Sequence, residues 1–469
     1  MKNFLSLFLI FFITQTSAQS LQQKIESAYK RFETDQQMLY GISSLTVLNA
    51  ETGAVLFSRN GNTGLASAST LKTITAASAY HLLGKDFTWQ TTLGYNGSLS
   101  AGGTLNGDVI ITGGGDPSLG SERYEQSKSE TILKRWSDAL TRAGVKKITG
   151  RIISDDRLFG TQTLPGGWTW NDIGNYYGAG PSSLTWRENQ FELRFKPGKV
   201  GEIAMLVSSE PEMSYLTIVN EVTTGSQGTG DNVYAYSAPY SDIIYLRGTY
   251  GIDLKKVISA SIPDPAFDAA YRLSNKLKSS GIVVEKAAST VRKLSVIKES
   301  YQPVTKVLDI YTSPSLGKTV YWFNQKSINL YGEHLVKTLA WKHGKNSTTE
   351  EGVKVIKGFW NKKLGIDTAA MNISDGSGLS PANRITTAAM AEIMQSLKKE
   401  PWFDSFYDSL PVYNNMKMKS GSISDVIAYT GYQTSSSGTP LVFSFITNNY
   451  NGSSSAIRQK MFTVLDVLK

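Results

Sequence analysis

Cysteine is absent from the 469 residues. That excludes thiol nucleophiles, disulfides, Cys-ligated zinc and iron–sulfur clusters, and with them a lipid anchor built on an acylated cysteine. Histidine is scarce as well. His81, His334 and His343 are the three in the chain, so histidine-based acid–base chemistry has few places to reside. Long apolar runs are also missing. The one candidate, Phe4 to Ile13, falls short of the ~20 residues that span a bilayer. Lys2 precedes it and Thr16-Ser17-Ala18 follows, so residues 1–18 read as a signal peptide cleaved before Gln19. The mature chain is expected to be exported, to a periplasmic location, without a transmembrane segment.

The length suggests two to three domains. The net charge is +9, but the lysines are scattered, as over 293–306 and 337–345, without Arg-rich blocks or interleaved aromatics. This argues for a solvated surface and against a nucleic-acid site. A basic exported protein suits an anionic wall polymer.

Helical spacing runs over 21–34. Residues 44–49 and 54–58 alternate like strands about the turn Glu51-Thr52-Gly53. A loop of small residues, Gly61 to Ala68, leads to Ser69-Thr70-Leu71-Lys72 and a helix through Leu83. From Phe87 to about Lys255, short strands alternate with Gly/Asn/Ser turns, and this section reads as β-rich. Helices are expected over 263–278, 313–341 and 385–397, with hairpin-like strands over 417–434 and 440–448. In the final helix, Ile457, Met461, Val464, Leu465 and Leu468 share one face, as a core-packing helix would arrange them.

A Ser-x-x-Lys tetrapeptide alone says little, since Ser27–Lys30, Ser295–Lys298, Ser315–Lys318 and Ser396–Lys399 repeat it. Ser69 differs by following a loop and opening a helix, which sets Lys72 one turn away on the same face. A helix start offers an unpaired N–H and the positive end of the dipole to an oxyanion, although N-capping is the plain reading of a serine there. The histidines lack plausible partners in sequence and there is no Gly-x-Ser-x-Gly elbow. A buried lysine near a second cation can replace histidine as base. Lys419-Ser420-Gly421-Ser422 reads as the start of an edge strand that supplies that cation, with Gly421 permitting close backbone approach. Ser327-Ile328-Asn329 adds a hydroxyl and an amide within a helical region.

In this order, Ser69-x-x-Lys72, Ser327-x-Asn329 and Lys419-Ser420-Gly421 resemble the three motifs shared by penicillin-binding proteins and serine β-lactamases. Longer matches are similar to one branch, the D-Ala-D-Ala carboxypeptidase/endopeptidases with inserted domains. They are Gly113-Gly-Gly-Asp-Pro-Ser118, Trp170-Asn-Asp-Ile-Gly-Asn-Tyr-Tyr-Gly178, Ser327-Ile-Asn-Leu-Tyr-Gly-Glu333 and Asp375-Gly-Ser-Gly-Leu-Ser380. The long interval from Ser69 to Ser327 leaves room for the insertion.

The resemblance implies an α+β transpeptidase-like fold, an antiparallel sheet flanked by helices. Its catalytic domain would comprise residues 19–88 and 295–469, interrupted by a β-rich insertion over 89–294 with a smaller β subdomain near 185–255. It implies a serine D,D-carboxypeptidase/endopeptidase of peptidoglycan stem peptides, inhibited covalently by β-lactams and needing no cofactor. Ser69 would be the nucleophile and Lys72 its base. Ser327 would relay a proton, Asn329 would orient Lys72 and the substrate amide, and Lys419 with Ser420 and Ser422 would bind the terminal carboxylate. Relatives usually carry threonine where Ser420 stands. Asp155, beside Asp156, resembles the residue that meets the stem-peptide amino group, and reads equally as a turn carboxylate after a strand. A β-lactamase and a catalytically silent peptidoglycan-binding protein are the alternatives.

Overall fold

The computed structural model describes residues 21–469, and the expected signal peptide over 1–18 lies outside them. The chain divides into two compact units. The first holds the described residues up to Lys85, together with Val320–Ile328 and Val353–Lys469; the second holds Asp86–Thr319 and Asn329–Gly352.

The first unit is built on a six-stranded sheet in the order Val55–Arg59, Ile42–Asn49, Pro440–Asn448, Val426–Thr434, Met416–Ile423, Val412–Tyr413. All of its pairs are antiparallel. Ile42–Asn49 and Pro440–Asn448 pair along their whole length, so the two ends of the chain close one sheet. Both faces of Ile42–Asn49 are covered, since residues 43–48 are all buried. Against one face pack Tyr29 and Phe32 of the helix over 21–33, with Ile457, Met461, Val464 and Leu465 of the helix Ser454–Leu465. The apolar stripe read from the C-terminal sequence is thus a core face. On the other side lies the helix Thr387–Ser396, whose Thr387 hydroxyl is 2.6 Å from Ser44 Oγ and 2.9 Å from Thr46 Oγ1. The helix Leu71–Leu83 is buried from Leu71 to Tyr80 on every side, as a central helix rather than an amphipathic surface one.

In the second unit a five-stranded sheet runs in the order Ser289–Thr290, Ile152–Asp155, Val109–Thr112, Gln90–Tyr95, Lys306–Thr312. The helices Ser129–Arg142 and Pro265–Ser279 share its core through Ile132, Leu133, Trp136, Leu140, Leu273 and Leu277. A separate core, from Phe191 to Ile262, fills a smaller β assembly that includes Gln190–Lys196, Asp231–Tyr236 and Ile243–Gly251.

Two readings of the sequence change here. The section after Phe87 contains the helix Ser129–Arg142, signalled by Ile132, Leu133, Trp136, Ala139 and Leu140 at helical spacing but obscured by the glycine turns around it. The single helix expected over 313–341 is two, Leu316–Gln325 and Asn329–Lys342, separated where Ser327 takes φ +56°. Within the second unit, Lys306–Thr312 pairs with Gln90–Tyr95. No helix among the described residues is long and apolar enough to cross a membrane.

Candidate active site

Ser69 lies in a single 3-10 turn, Ala68–Thr70, that runs directly into the helix Leu71–Leu83. Ala68 adopts φ +44°, a costly conformation for a residue with a Cβ and one that clusters at functional turns. Lys72, one turn later, is fully buried, and its Nζ donates to Ser69 Oγ at 2.9 Å and to the Ser377 carbonyl at 2.7 Å. Its ammonium also sits 5.8 Å from the centroid of the buried Phe323 ring.

The Ser377 carbonyl is held by its own loop. Asp375 accepts from Gly378 N at 2.8 Å, Ser380 N at 2.7 Å and Asn383 Nδ2 at 2.9 Å. Gly378 has φ +82°, and a Cβ there would collide with the Ala68 carbonyl. The loop Asp375-Gly-Ser-Gly-Leu-Ser380 therefore braces both the nucleophile turn and the partner of Lys72.

Lys419 comes from the strand Met416–Ile423 and is 1% exposed. Its Nζ donates to Ser327 Oγ at 3.0 Å and to the Ser420 carbonyl at 2.9 Å. Ser327 is available because the chain breaks between two helices at this residue. Burial, and after it the charge of Lys72, hold the Lys419 amine well below the ordinary lysine range.

Gly421 brings this strand against the nucleophile turn: a Cβ would lie 2.7 Å from Ser67 O, 2.8 Å from Ser69 N and 2.9 Å from Thr70 N. Ser420 is half-buried and Ser422 exposed. The strand pairs with Val412–Tyr413 only at Met416 and Lys417, so Ser420 to Ser422 have no strand neighbour on that edge among the described residues. It is an edge beyond its first residues, with one short extra strand that the sequence reading did not contain.

Ser69, Lys72, Ser327, Lys419, Ser420, Gly421 and Ser422 thus fall in one compact unit. Asn329 opens the helix Asn329–Lys342 in the other unit, and its Nδ2 donates to the Tyr177 carbonyl at 2.7 Å. Asp155 is also in that unit. Arg157 binds its carboxylate through two hydrogen bonds, at 2.8 and 2.7 Å, and Tyr301 donates a third at 3.1 Å. Burial pushes the Asp155 carboxyl up, but the Arg157 and Tyr301 hydrogen bonds outweigh it and leave its pKa below the usual carboxylate value. Burial and then the charge of Asp264 raise its neighbour Asp156 to about 6.

The histidines are structural. His334 is fully buried between Thr185 Oγ1 and the Gly115 carbonyl, and burial lowers its pKa to about 3. His81 packs among Phe359, Trp360 and Trp402. His343 Nδ1 lies 2.8 Å from the Leu339 carbonyl in its own helix. Sequence reasoning did not find the Ser377 carbonyl or Phe323 as neighbours of Lys72. The turn-rich Asp375–Ser380 segment was the available signal for the first, and nothing local marks the second.

The chain matches the D-Ala-D-Ala carboxypeptidase 3 (S13) family over residues 21–468. It is 26% identical over 442 residues to the D-alanyl-D-alanine carboxypeptidase of Actinomadura sp. (strain R39), covering 88% of this chain and 78% of that one. It is 23% identical over 425 residues to D-alanyl-D-alanine carboxypeptidase DacB of Haemophilus influenzae, covering 86% and 84% of the two chains. The crystal structure of penicillin binding protein 4 (dacB) from Haemophilus influenzae superposes with a TM-score of 0.76 at 20% identity, over 96% of this chain and 98% of that one. The same protein complexed with a β-lactam superposes with a TM-score of 0.71 at 19% identity, over 96% and 99%. A match that spans residues 21–468 makes the chain a member of the D-Ala-D-Ala carboxypeptidase 3 (S13) family.

Proposed function

We propose that this D-Ala-D-Ala carboxypeptidase works through an acyl-enzyme on Ser69, with Lys72 as the base. The observation that carries the reading is the 2.9 Å approach of Lys72 Nζ to Ser69 Oγ, within the range expected of a base and its nucleophile. A peptide ending in D-Ala-D-Ala lies along the open edge at Ser420 to Ser422 and adds main-chain hydrogen bonds to it. Lys72 in its neutral form takes the hydroxyl proton as Ser69 Oγ bonds to the carbonyl carbon between the two alanines. The N–H groups of Ser69 and Ser422 receive the negative oxygen, each such donor contributing ~3 kcal/mol in general. The C–N bond then breaks, and the proton passes through Ser327 to the departing amine. Water repeats the sequence on the ester and frees Ser69.

Lys419, with the hydroxyls of Ser420 and Ser422, receives the terminal carboxylate, whose negative charge restores the proton that burial disfavours on the amine. By its place in the motif, Asn329 orients the substrate amide. Asp155 is assigned to the substrate's amino group on resemblance alone, and its Arg157 partner competes for that role. A β-lactam enters as a carbonyl electrophile and acylates Ser69 covalently. The reading sets the enzyme outside the cytoplasm, in the periplasm, where peptidoglycan stem peptides are found.

Intact mass measurement after incubation with benzylpenicillin tests the assignment. A single stable adduct on the parent, mapped to Ser69 and absent from Ser69→Ala, is expected. An adduct elsewhere, or unchanged D-alanine release by Ser69→Ala, removes Ser69 from the reaction. Rapid penicillin turnover would favour the β-lactamase alternative. Mass analysis of peptidoglycan fragments then separates loss of one alanine from conversion of cross-linked dimers to monomers.

A further inference from the structure

The strands Asp231–Tyr236 and Ile243–Gly251 pair antiparallel in the small β assembly of the second unit. Their inward residues Val233, Ala235, Ile244 and Leu246 belong to its core. The outward positions of such a sheet are ordinarily polar. Here they carry Tyr234, Tyr236, Ile243, Tyr245 and Arg247, with Tyr236 directly opposite Tyr245 and Tyr234 opposite Arg247. Tyr234 and Tyr245 are each 39% exposed.

The row continues beyond the sheet. The Trp170 ring, 57% exposed, lies 6.3 Å from the Tyr236 ring at an interplanar angle of 36°. The Arg247 guanidinium stands 5.5 Å from the Tyr236 centroid and 5.3 Å from that of Tyr245. Its Nε also donates to Glu221 at 2.7 Å, so its charge is neutralised in place.

We propose that this aromatic row binds a chain of pyranose sugars, the glycan strand that bears the stem peptides. Open Trp and Tyr rings offer flat apolar faces to the C–H faces of sugar rings, and tyrosine hydroxyls at their edges serve sugar hydroxyls and N-acetyl groups. Arg247 is paired with Glu221, so the ring faces and not an unpaired cation in the row would hold the ligand. The inference rests on the peptidase reading above.

The test uses the full chain with chitotetraose in calorimetry and with peptide-free glycan strands in co-sedimentation. Tyr236→Ala/Tyr245→Ala is expected to weaken binding to both probes by roughly tenfold or more. Tyr245→Phe should stay within about twofold, because it keeps the ring face. Trp170→Ala repeats the test on a ring outside the sheet, where truncation takes nothing from the core. Penicillin acylation of Ser69 should be unchanged in every variant, which reports folding and the peptidase reading separately. Absence of binding by the parent, or equal binding by the parent and both alanine variants, overturns the proposal. So does a self-association of the parent that the double variant abolishes while glycan binding persists.

Discussion

Lys72 acts on the proton of Lys419. Both amines are buried in the first unit, and the positive charge of Lys72 adds to burial in disfavouring the charged form of Lys419. Two ammonium groups that share a buried site disfavour each other's protons. The two amines remain distinct because their acceptors differ: Ser69 and Ser377 for Lys72, Ser327 and Ser420 for Lys419.

Replacing Lys72 with arginine keeps the charge and removes the base, since a guanidinium does not give up its proton in proteins. Penicillin acylation of Lys72→Arg should slow by roughly 10²- to 10⁴-fold, the usual worth of a positioned base. Stopped acylation reactions read on gels with fluorescent penicillin measure this directly. A rate within about tenfold of the parent would mean that another group accepts the Ser69 proton.

Gly421→Ala tests the contact between strand and nucleophile turn. The added methyl meets Ser67 O and Ser69 N below 3 Å, so the strand or the turn has to move. Overpacking of this kind costs about 1–3 kcal/mol of stability, and a shift at Ser69 N also disturbs the oxyanion site. Thermal unfolding and the acylation rate should fall together. Unchanged acylation in a destabilised variant would separate the two effects and remove Ser69 N from the oxyanion site.

Lys337 provides a stability prediction outside the site. It is 1% exposed, donates to the carbonyls of Phe159 and Gln162, and is lowered by burial to about 8, with Glu333 and Glu350 acting in the opposite direction. Below about pH 8 both folded and unfolded chains hold the proton. Between there and its ordinary value of 10.5 the unfolded chain holds it and the folded chain does not, so stability contributed by this group rises with pH. Urea unfolding of the parent and Lys337→Met at pH 7 and pH 10 should show the difference moving toward the parent by up to about 3 kcal/mol. A pH-independent difference would place the Lys337 proton at its ordinary affinity in the folded chain.

Much of this protein is local enough to be read from the chain. The residue pattern over 44–49 and 54–58 marks strands because side chains point to opposite faces every second residue, and the stripe from Ile457 to Leu468 marks a core helix by its 3.6-residue period. Ser69, Lys72, Ser327 and Lys419 could be singled out as candidates because their residue types stand in motif order and Ser69 opens a helix. The pairing of Ile42–Asn49 with Pro440–Asn448 was not legible, since nothing local encodes which distant strand supplies the missing hydrogen bonds. Nor was the break at Ser327, where a helical pattern continues through a residue whose φ is set by the surrounding fold. The Ser377 carbonyl at Lys72 and the Arg157 side chain at Asp155 belong to the same class. By itself the sequence determined which residue types stand in the three motifs and where most of the strands and helices of the first unit run. Only the tertiary structure decided which backbone carbonyls and counter-charges face them, because those contacts join residues whose proximity exists only once the core has closed.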